Sequence, residues 1–193
     1  MKTNTIENIF KFLEAKENKK TPQEWVNLKE TNSLIKKFEN HPDGVQYKHE
    51  GNLVFEDSNQ LTELPNDLYV TGSLNLENCN RLTKLPDKLY VGGNLDIIRC
   101  ENILELSKDL YVDNSFWLWE CTKILNLPNN LHVEGFLSIK RCYQLKYIPY
   151  NLYVGEDLTF MYTPISDKYT RSELRDIINS KGGEILGDIE IQA

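Results

Sequence analysis

The chain has 193 residues, enough for a single domain-sized core, and carries 22 Lys and Arg against 29 Asp and Glu, a formal charge of −7. That balance argues against a general nucleic-acid binder, which must offer a basic face to phosphates. No stretch approaches the ~20 apolar residues of a membrane span, and MKTNTIENIFKFLEAKENKK lacks the apolar run and cleavage site of a secretion signal, so a soluble cytoplasmic protein is expected.

Residues 1–44 read as an N-terminal helical segment. Ile6, Ile9, Phe10 and Leu13 fall at i, i+3, i+4 and i+7, one face of a helix. After the lysine-rich KENKK, TPQE (21–24) places a hydroxyl at the N-cap, proline at the first helical position and a carboxylate at the third. Trp25, Leu28, Ile35 and Phe38 continue as an apolar stripe that stops at the turn HPDG (41–44). Such a helix is expected to cover the open apolar end of the repeats that follow.

From 45 to 165 the chain repeats every 21 residues without insertion or deletion, as a partial copy (45–60) and five full ones beginning at Leu61, Leu82, Ile103, Ile124 and Leu145. A period of this length is the mark of a solenoid, whose coils bury their apolar positions only against one another. Six columns are apolar in every full copy; in the copy that opens at Leu82 they are Leu82, Leu85, Leu89, Val91, Leu95 and Ile97. The L-x-L pair alternates with period two, a strand with one face in the core, and L-Y-V alternates likewise, which predicts a second extended segment on the opposite wall. Between the two, Gly51, Gly72, Gly93, Asn114 and Gly135 share one position, as expected of a tight turn with positive φ. Pro65, Pro86, Pro128 and Pro149 set an extended bend, with Ser107 the exception.

The cysteines follow the repeat as well: Cys79, Cys100, Cys121 and Cys142, continued by Ser58 and Thr163 at the two ends. They are expected to be small buried ladder residues. Four thiols in a line cannot close a tetrahedron around zinc, and parallel thiols in a reducing compartment stay free. Neither a metal nor another cofactor is expected.

The positions between the apolar columns are free to carry function. On the L-x-L strand the outward columns run Asn52, Ser73, Asn94, Ser115, Phe136, Asp157, then Val54, Asn75, Asp96, Trp117, Ser138, Thr159, then Glu56, Glu77, Ile98, Trp119, Lys140, Met161. The early coils are polar and acidic. The later ones bring Ile98, Trp117, Trp119, Phe136 and Met161 together, beside Lys140 and flanked by Arg99 and Arg141, the composition favoured at interface centres. Just past the strand, Asn78, Arg99, Glu120, Arg141 and Tyr162 suggest ion pairs between coils. The L-Y-V wall carries a ladder of Tyr69, Tyr90, Tyr111, His132 and Tyr153, with Tyr47 assigned to the same column; scaffold stabilisation is its expected role.

Residues 166–193 form a C-terminal helix and strand. TRSE (170–173) is a capping box, Leu174, Ile177 and Ile178 make a buried stripe ending at Gly182–Gly183, and GDIEI (187–191) has the form of the repeat strand. A seventh parallel strand is expected there, covering the edge of 157–160.

The pattern L-x-x-L-P-x-x-L-x-V-x-G-x-L-x-L-x-x-C resembles the leucine-rich repeat family, in particular the short Leu/Pro repeats of bacteria and their phages, over residues 45–165. The ending TPISDKYT–helix–GDIEI resembles the termini of small phage-encoded repeat proteins. The resemblance implies an α/β fold: a leucine-rich-repeat solenoid with a parallel sheet on the concave face, extended segments on the opposite wall and helical caps at both ends. It also implies a concave sheet that binds macromolecules, usually proteins. His41, His49 and His132 have no sequence-local partners and no phosphate loop is present, so no enzymatic activity is expected. The expected function is a protein-interaction module, for instance a phage or bacterial factor that sequesters a host protein. The alternative is a structural or assembly protein that self-associates through the tryptophan patch or tyrosine wall.

Overall fold

A computed structural model describes residues 22–192, with side chains from residue 30 onward. The helix expected at Ile6, Ile9, Phe10 and Leu13, the N-cap Thr21, and the side chains of Trp25 and Leu28 lie outside the described residues.

The 21-residue period becomes a parallel β-solenoid with two seven-stranded sheets. The L-Y-V segments form the first sheet, in the order β1 (Tyr47–His49), β3 (Leu68–Val70), β5 (Tyr90–Val91), β7 (Tyr111–Val112), β9 (His132–Val133), β11 (Tyr153–Val154) and β13 (Glu184–Ile185). The L-x-L segments form the second: β2 (Leu53–Val54), β4 (Leu74–Asn75), β6 (Leu95–Ile98), β8 (Phe116–Trp119), β10 (Leu137–Lys140), β12 (Leu158–Met161) and β14 (Ile189–Gln192). Every pairing is parallel, and within the repeats partners lie one period apart, as in Leu95↔Phe116 and Phe116↔Leu137. The apolar columns all point into one core. Leu82, Leu89, Val91, Leu95 and Ile97 are fully buried, as are their equivalents in neighbouring coils.

Two corners of each coil use residues with positive φ, and neither corner is the glycine position. One comprises Asp67, Lys88, Asp109, Asn130 and Asn151; the other comprises Asp57, Asn78, Arg99, Glu120, Arg141 and Tyr162; all have φ between 53° and 60°. In the glycine column itself φ is positive only at Gly51. At the later glycines coils crowd: a Cβ on Gly72 would sit 2.6 Å from the carbonyl carbon of Gly51, and one on Gly135 would sit 2.8 Å from that of Asn114, whereas Gly51 has open space and Asn114 shows that the column accepts a side chain. The left-handed corners are held by the ladder. The N–H of Arg99 donates to the carbonyl of Trp119 at 2.9 Å, that of Glu120 to Lys140 at 2.8 Å and that of Lys88 to Lys108 at 2.9 Å. A left-handed residue thus turns the chain within the plane of its coil while its N–H stays aimed along the solenoid axis. The strain, of order 1–3 kcal/mol for a non-glycine residue, is met by a hydrogen bond that a right-handed turn would misdirect.

Where proline is absent, Ser107 is fully buried and its Oγ accepts the N–H of Leu89 at 3.0 Å. The cysteine column is fully buried too, with each Sγ at the carbonyl of the preceding coil's strand: Cys79 to Phe55 (3.0 Å), Cys100 to Leu76 (2.7 Å), Cys121 to Ile97 and Cys142 to Leu118 (both 3.4 Å). All four thiols are free. Burial pushes Cys79 and Cys142 up to about 12. In the Cys100–Cys121 pair the contact between the thiols, and then burial, push Cys121 up.

The ends depart from the period. Helix α1 (Pro22–Glu39) buries Ile35 and Phe38, and the Phe38 ring meets Tyr47 edge-on at 5.0 Å and Phe55 at 5.7 Å. The short helix α2 (Pro164–Lys168), not expected from the sequence, is closed by a capping box between Thr163 and Ser166. Helix α3 (Arg171–Ser180) has the expected box between Thr170 and Glu173, and buries Leu174 and Ile178. The chain then rejoins both sheets, with Glu184 beside Tyr153 and Ile189 beside Leu158, 31 rather than 21 positions on. The expected strand at 187–191 is therefore present, and Glu184–Ile185, which the sequence reading passed over, is its partner on the other wall. Arg175 of α3 donates to the carbonyls of Ile185 (2.9 Å) and Gly187 (2.7 Å), filling acceptors that a further coil would otherwise have bonded.

Two outcomes are expected. The four cysteines should resist thiol reagents in the native protein and all react after unfolding; rapid native labelling of all four would contradict their burial. Deleting residues 184–193 removes one strand from each sheet and should cause aggregation or a large loss of stability, whereas Arg175→Met should cost about 1.5–3 kcal/mol, the value of hydrogen bonds from a charged donor. A truncated chain that melts like the parent would show that β13 and β14 contribute nothing.

Candidate binding face

The outward face of the second sheet is built by the alternate positions of β2 to β14. Its first column is not free surface. Asn52 Oδ1 accepts the N–H of Ser73 at 2.9 Å, Ser73 Oγ that of Asn94 at 3.0 Å, Asn94 Oδ1 that of Ser115 at 3.3 Å and Ser115 Oγ that of Phe136 at 3.4 Å. These short polar side chains hand hydrogen bonds from coil to coil where the ladder turns, and Ser115 is buried in doing so. The sequence signal for this relay is the alternation of Asn and Ser over four coils, Asn52, Ser73, Asn94 and Ser115.

The second and third columns carry the candidate residues. Parallel register sets Trp117 between Asp96 and Ser138, and Trp119 between Ile98 and Lys140, with Met161 beyond Lys140. All are half-buried. Phe136, one coil on, meets Trp117 edge-on with ring centroids 4.7 Å apart. Trp119 donates from Nε1 to Ser138 Oγ at 3.0 Å, and Lys140 Nζ stands 5.5 Å from the centroid of its ring. So Ile98, Trp117, Trp119, Phe136, Lys140 and Met161 form one contiguous patch. Beside it, Thr159 Oγ1 is buried and has no hydrogen-bond partner among the described residues.

Arg99 and Arg141 lie at the left-handed corner past the strand ends, on the margin of that patch, and both are engaged by neighbours. Arg99 pairs with Glu77 and donates to Asn78 Oδ1 at 3.1 Å; Arg141 pairs with Glu120 at 2.7 Å, and its guanidinium stands 5.8 Å from the Tyr162 ring centroid. Of the coil-to-coil ion pairs expected from the alternating charges, Arg141–Glu120 is present, whereas Arg99 takes Glu77 and not Glu120. Toward the N-terminal coils the same face turns acidic with Glu56, Glu77 and Asp96. Burial, followed by the charges of Glu77 and Asp57, holds the Glu56 carboxyl above the ordinary range; burial and then Glu77 do the same to Asp96.

The opposite wall is a stack. Tyr69 and Tyr90 lie 4.3 Å apart, Tyr90 and Tyr111 5.5 Å, Tyr111 and His132 4.3 Å, and His132 and Tyr153 4.3 Å, all within 17° of parallel. Tyr47 does not belong to it: Tyr47 pairs with Leu68, and Lys48 occupies the tyrosine column, 5.9 Å above the Tyr69 ring. Tyr90 donates to Asp113, and Tyr111 to Glu134 at 2.8 Å, a bond that pushes the Tyr111 phenol up to about 12. A third side of the coils, overlooked in the sequence, exposes Leu104, Leu125, Tyr143, Tyr147 and Tyr150, each at least half accessible. Leucine at 104 and 125, where other copies have Thr62, Thr83 and Lys146, was the available signal.

Among the described residues no helix is long and apolar enough to cross a membrane, and no three His, Cys, Asp or Glu are placed to hold a metal ion. Comparison of the chain with protein-family models, with curated proteins and with solved structures gives no match.

Proposed function

We propose that this is a leucine-rich-repeat protein of the short bacterial and phage type, a non-enzymatic interaction module whose L-x-L sheet is the concave face and binds a protein partner, with helical caps at both ends. The observation that carries the reading is the patch itself. The scaffold requires apolar residues inside, but nothing in the ladder requires two tryptophans, a phenylalanine and a methionine in register on the outside. Large aromatic side chains held half-buried, with a charged margin at Arg99 and Arg141, have the composition of an interface centre and rim. A partner protein of a host cell, sequestered by a phage or bacterial factor, fits this reading. The expectation that the three histidines lack sequence-local partners is corrected by the structure: His41 meets the carbonyl of Val45, His49 that of Asn52, and His132 the Glu134 carboxylate.

Self-association is the second reading, favoured by the exposed Leu104, Leu125, Tyr143 and Tyr147 flank more than by the tyrosine wall, whose hydroxyls are partly occupied within the chain. Light scattering across a concentration series separates the two, because a mass that stays monomeric removes it.

The test of the first reading is mutational. Truncation removes a half-buried indole in each case, with a cation–π contact and a hydrogen bond at Trp119 and an edge-on ring contact at Trp117, so Trp117→Ala and Trp119→Ala should each cost about 2–3 kcal/mol of stability, or roughly 4–12 °C in melting temperature. Each should weaken capture of the native partner from host extract by about 2 kcal/mol or more. Variants that retain that partner as tightly as the parent would place the site elsewhere.

A further inference from the structure

From β2 to β12 the face is polarised along the solenoid axis, with the exposed Glu190 beyond it on β14, and that polarity specifies its occupant. Glu56, Glu77 and Asp96 lie on the coils of β2, β4 and β6, and the aromatic patch begins on the next strand, β8. Of the three carboxylates Glu77 is paired, with Arg99; neither Glu56 nor Asp96 has an ion-pair partner among the described residues. Glu56 is exposed, but Glu77 and Asp96 are half-buried on neighbouring coils, and withdrawing the Asp96 carboxylate from water beside Glu77 costs the free protein stability.

We infer that this face takes an extended segment of another protein that presents an arginine or lysine to Glu56, Glu77 and Asp96 and large apolar side chains to Trp117, Trp119 and Phe136. The inference rests on the binding-face reading above and adds the partner's chemistry. Its spacing follows from the scaffold. Glu77 and Trp119 occupy one column two strands apart, roughly 10 Å at about 4.8 Å per strand, and an extended chain covers that in about three residues. A guanidinium arriving there meets two carboxylates that its own charge restores to comfortable ionisation, so the cation and the acidic site stabilise each other. A polyanion such as single-stranded nucleic acid could stack on the tryptophans but would meet those carboxylates with the wrong sign.

Two synthetic peptides, differing in one charge swap, test this by titration calorimetry. One carries two arginines about three residues ahead of a pair of leucines; the other has glutamates in place of the arginines. The arginine peptide should bind at least ~10-fold more tightly, weaken as salt is raised, and lose roughly 10-fold in affinity to the double variant Glu56→Gln, Asp96→Asn. The double variant should fold, and Asp96→Asn should raise the melting temperature at neutral pH. The sign follows from linkage: a carboxyl raised on folding makes the charged form unfavourable above its ordinary range, so the gain from removing the charge is full at neutral pH and fades as pH falls and Asp96 protonates. Equal affinity for the two peptides, binding of neither, affinity unchanged in the double variant, or preference for a single-stranded oligonucleotide would each overturn the inference. The two readings fail separately. Tryptophan variants that lose the native partner while the charge variants keep it leave the face in place and remove the cationic partner. Tryptophan variants that keep the native partner remove the face.

Discussion

The whole structure depends on one constraint, that every coil returns to the same axial register so that its N–H groups reach the carbonyls of the next. The strands are only two to four residues long and could not hold a sheet as isolated ribbons. They hold because the ladder continues through the corners, with Asn78, Arg99, Glu120 and Arg141 donating along the axis from left-handed conformations. A fixed period of 21 is the sequence form of that requirement. The last coil shows what the constraint permits. Ten additional residues fit between β11 and β13 because they leave the ladder as helix α3 and return to it at Glu184. Arg175 then donates to carbonyls at the free end, which is how a helix can stand against an open ladder without leaving its acceptors bare.

Sequence legibility follows from which residues this constraint touches. The apolar columns, the buried cysteines, the strand pair and the closing strand at 187–191 were all readable, because burial at a fixed spacing demands apolar or small residues at that spacing. Residues governed by backbone conformation were less so. Six of the eleven left-handed corner residues are Asp or Asn, which tolerate positive φ, but no propensity points from Lys88 or Tyr162 to it. The glycine column was visible but its cause was misassigned, since close approach between coils and positive φ select the same residue. Tyr47 was misplaced by a single position, which in a strand means the other face: Lys48 looks out along the tyrosine column while Tyr47 packs on Phe38.

The tyrosine wall illustrates how a ladder spends its exposed side chains on itself. Four stacked contacts at roughly 0.2–1 kcal/mol each reinforce the first sheet, whose strands are the shorter of the two sets in the central coils. Lys48 lies over one end of the stack and Glu184 pairs beside the other, where an aromatic ring would have offered a further stacking surface. His132 fits the stack without loss because its ring is planar and its Nε2 finds Glu134, the same carboxylate that Tyr111 uses.

The same accounting narrows where recognition can reside. On the second sheet the first outward column is occupied by the Asn and Ser hydrogen-bond relay as far as Ser115, beyond which Phe136 joins the open surface, and the corner beyond the third column is occupied by inter-coil ion pairs. Two columns remain in which the scaffold leaves the side chain open: Val54, Asn75, Asp96, Trp117, Ser138, Thr159, Glu190, and Glu56, Glu77, Ile98, Trp119, Lys140, Met161, Gln192. A solenoid this regular can vary its surface chemistry only along its axis, one coil at a time. Along it the face runs from carboxylates through indoles to Lys140 and Met161, and ends on Glu190 and Gln192. Of its unpaired carboxylates Glu56, Asp96 and Glu190, the half-buried Asp96 is the one whose charge burial disfavours most, which the ladder itself gives no reason to tolerate.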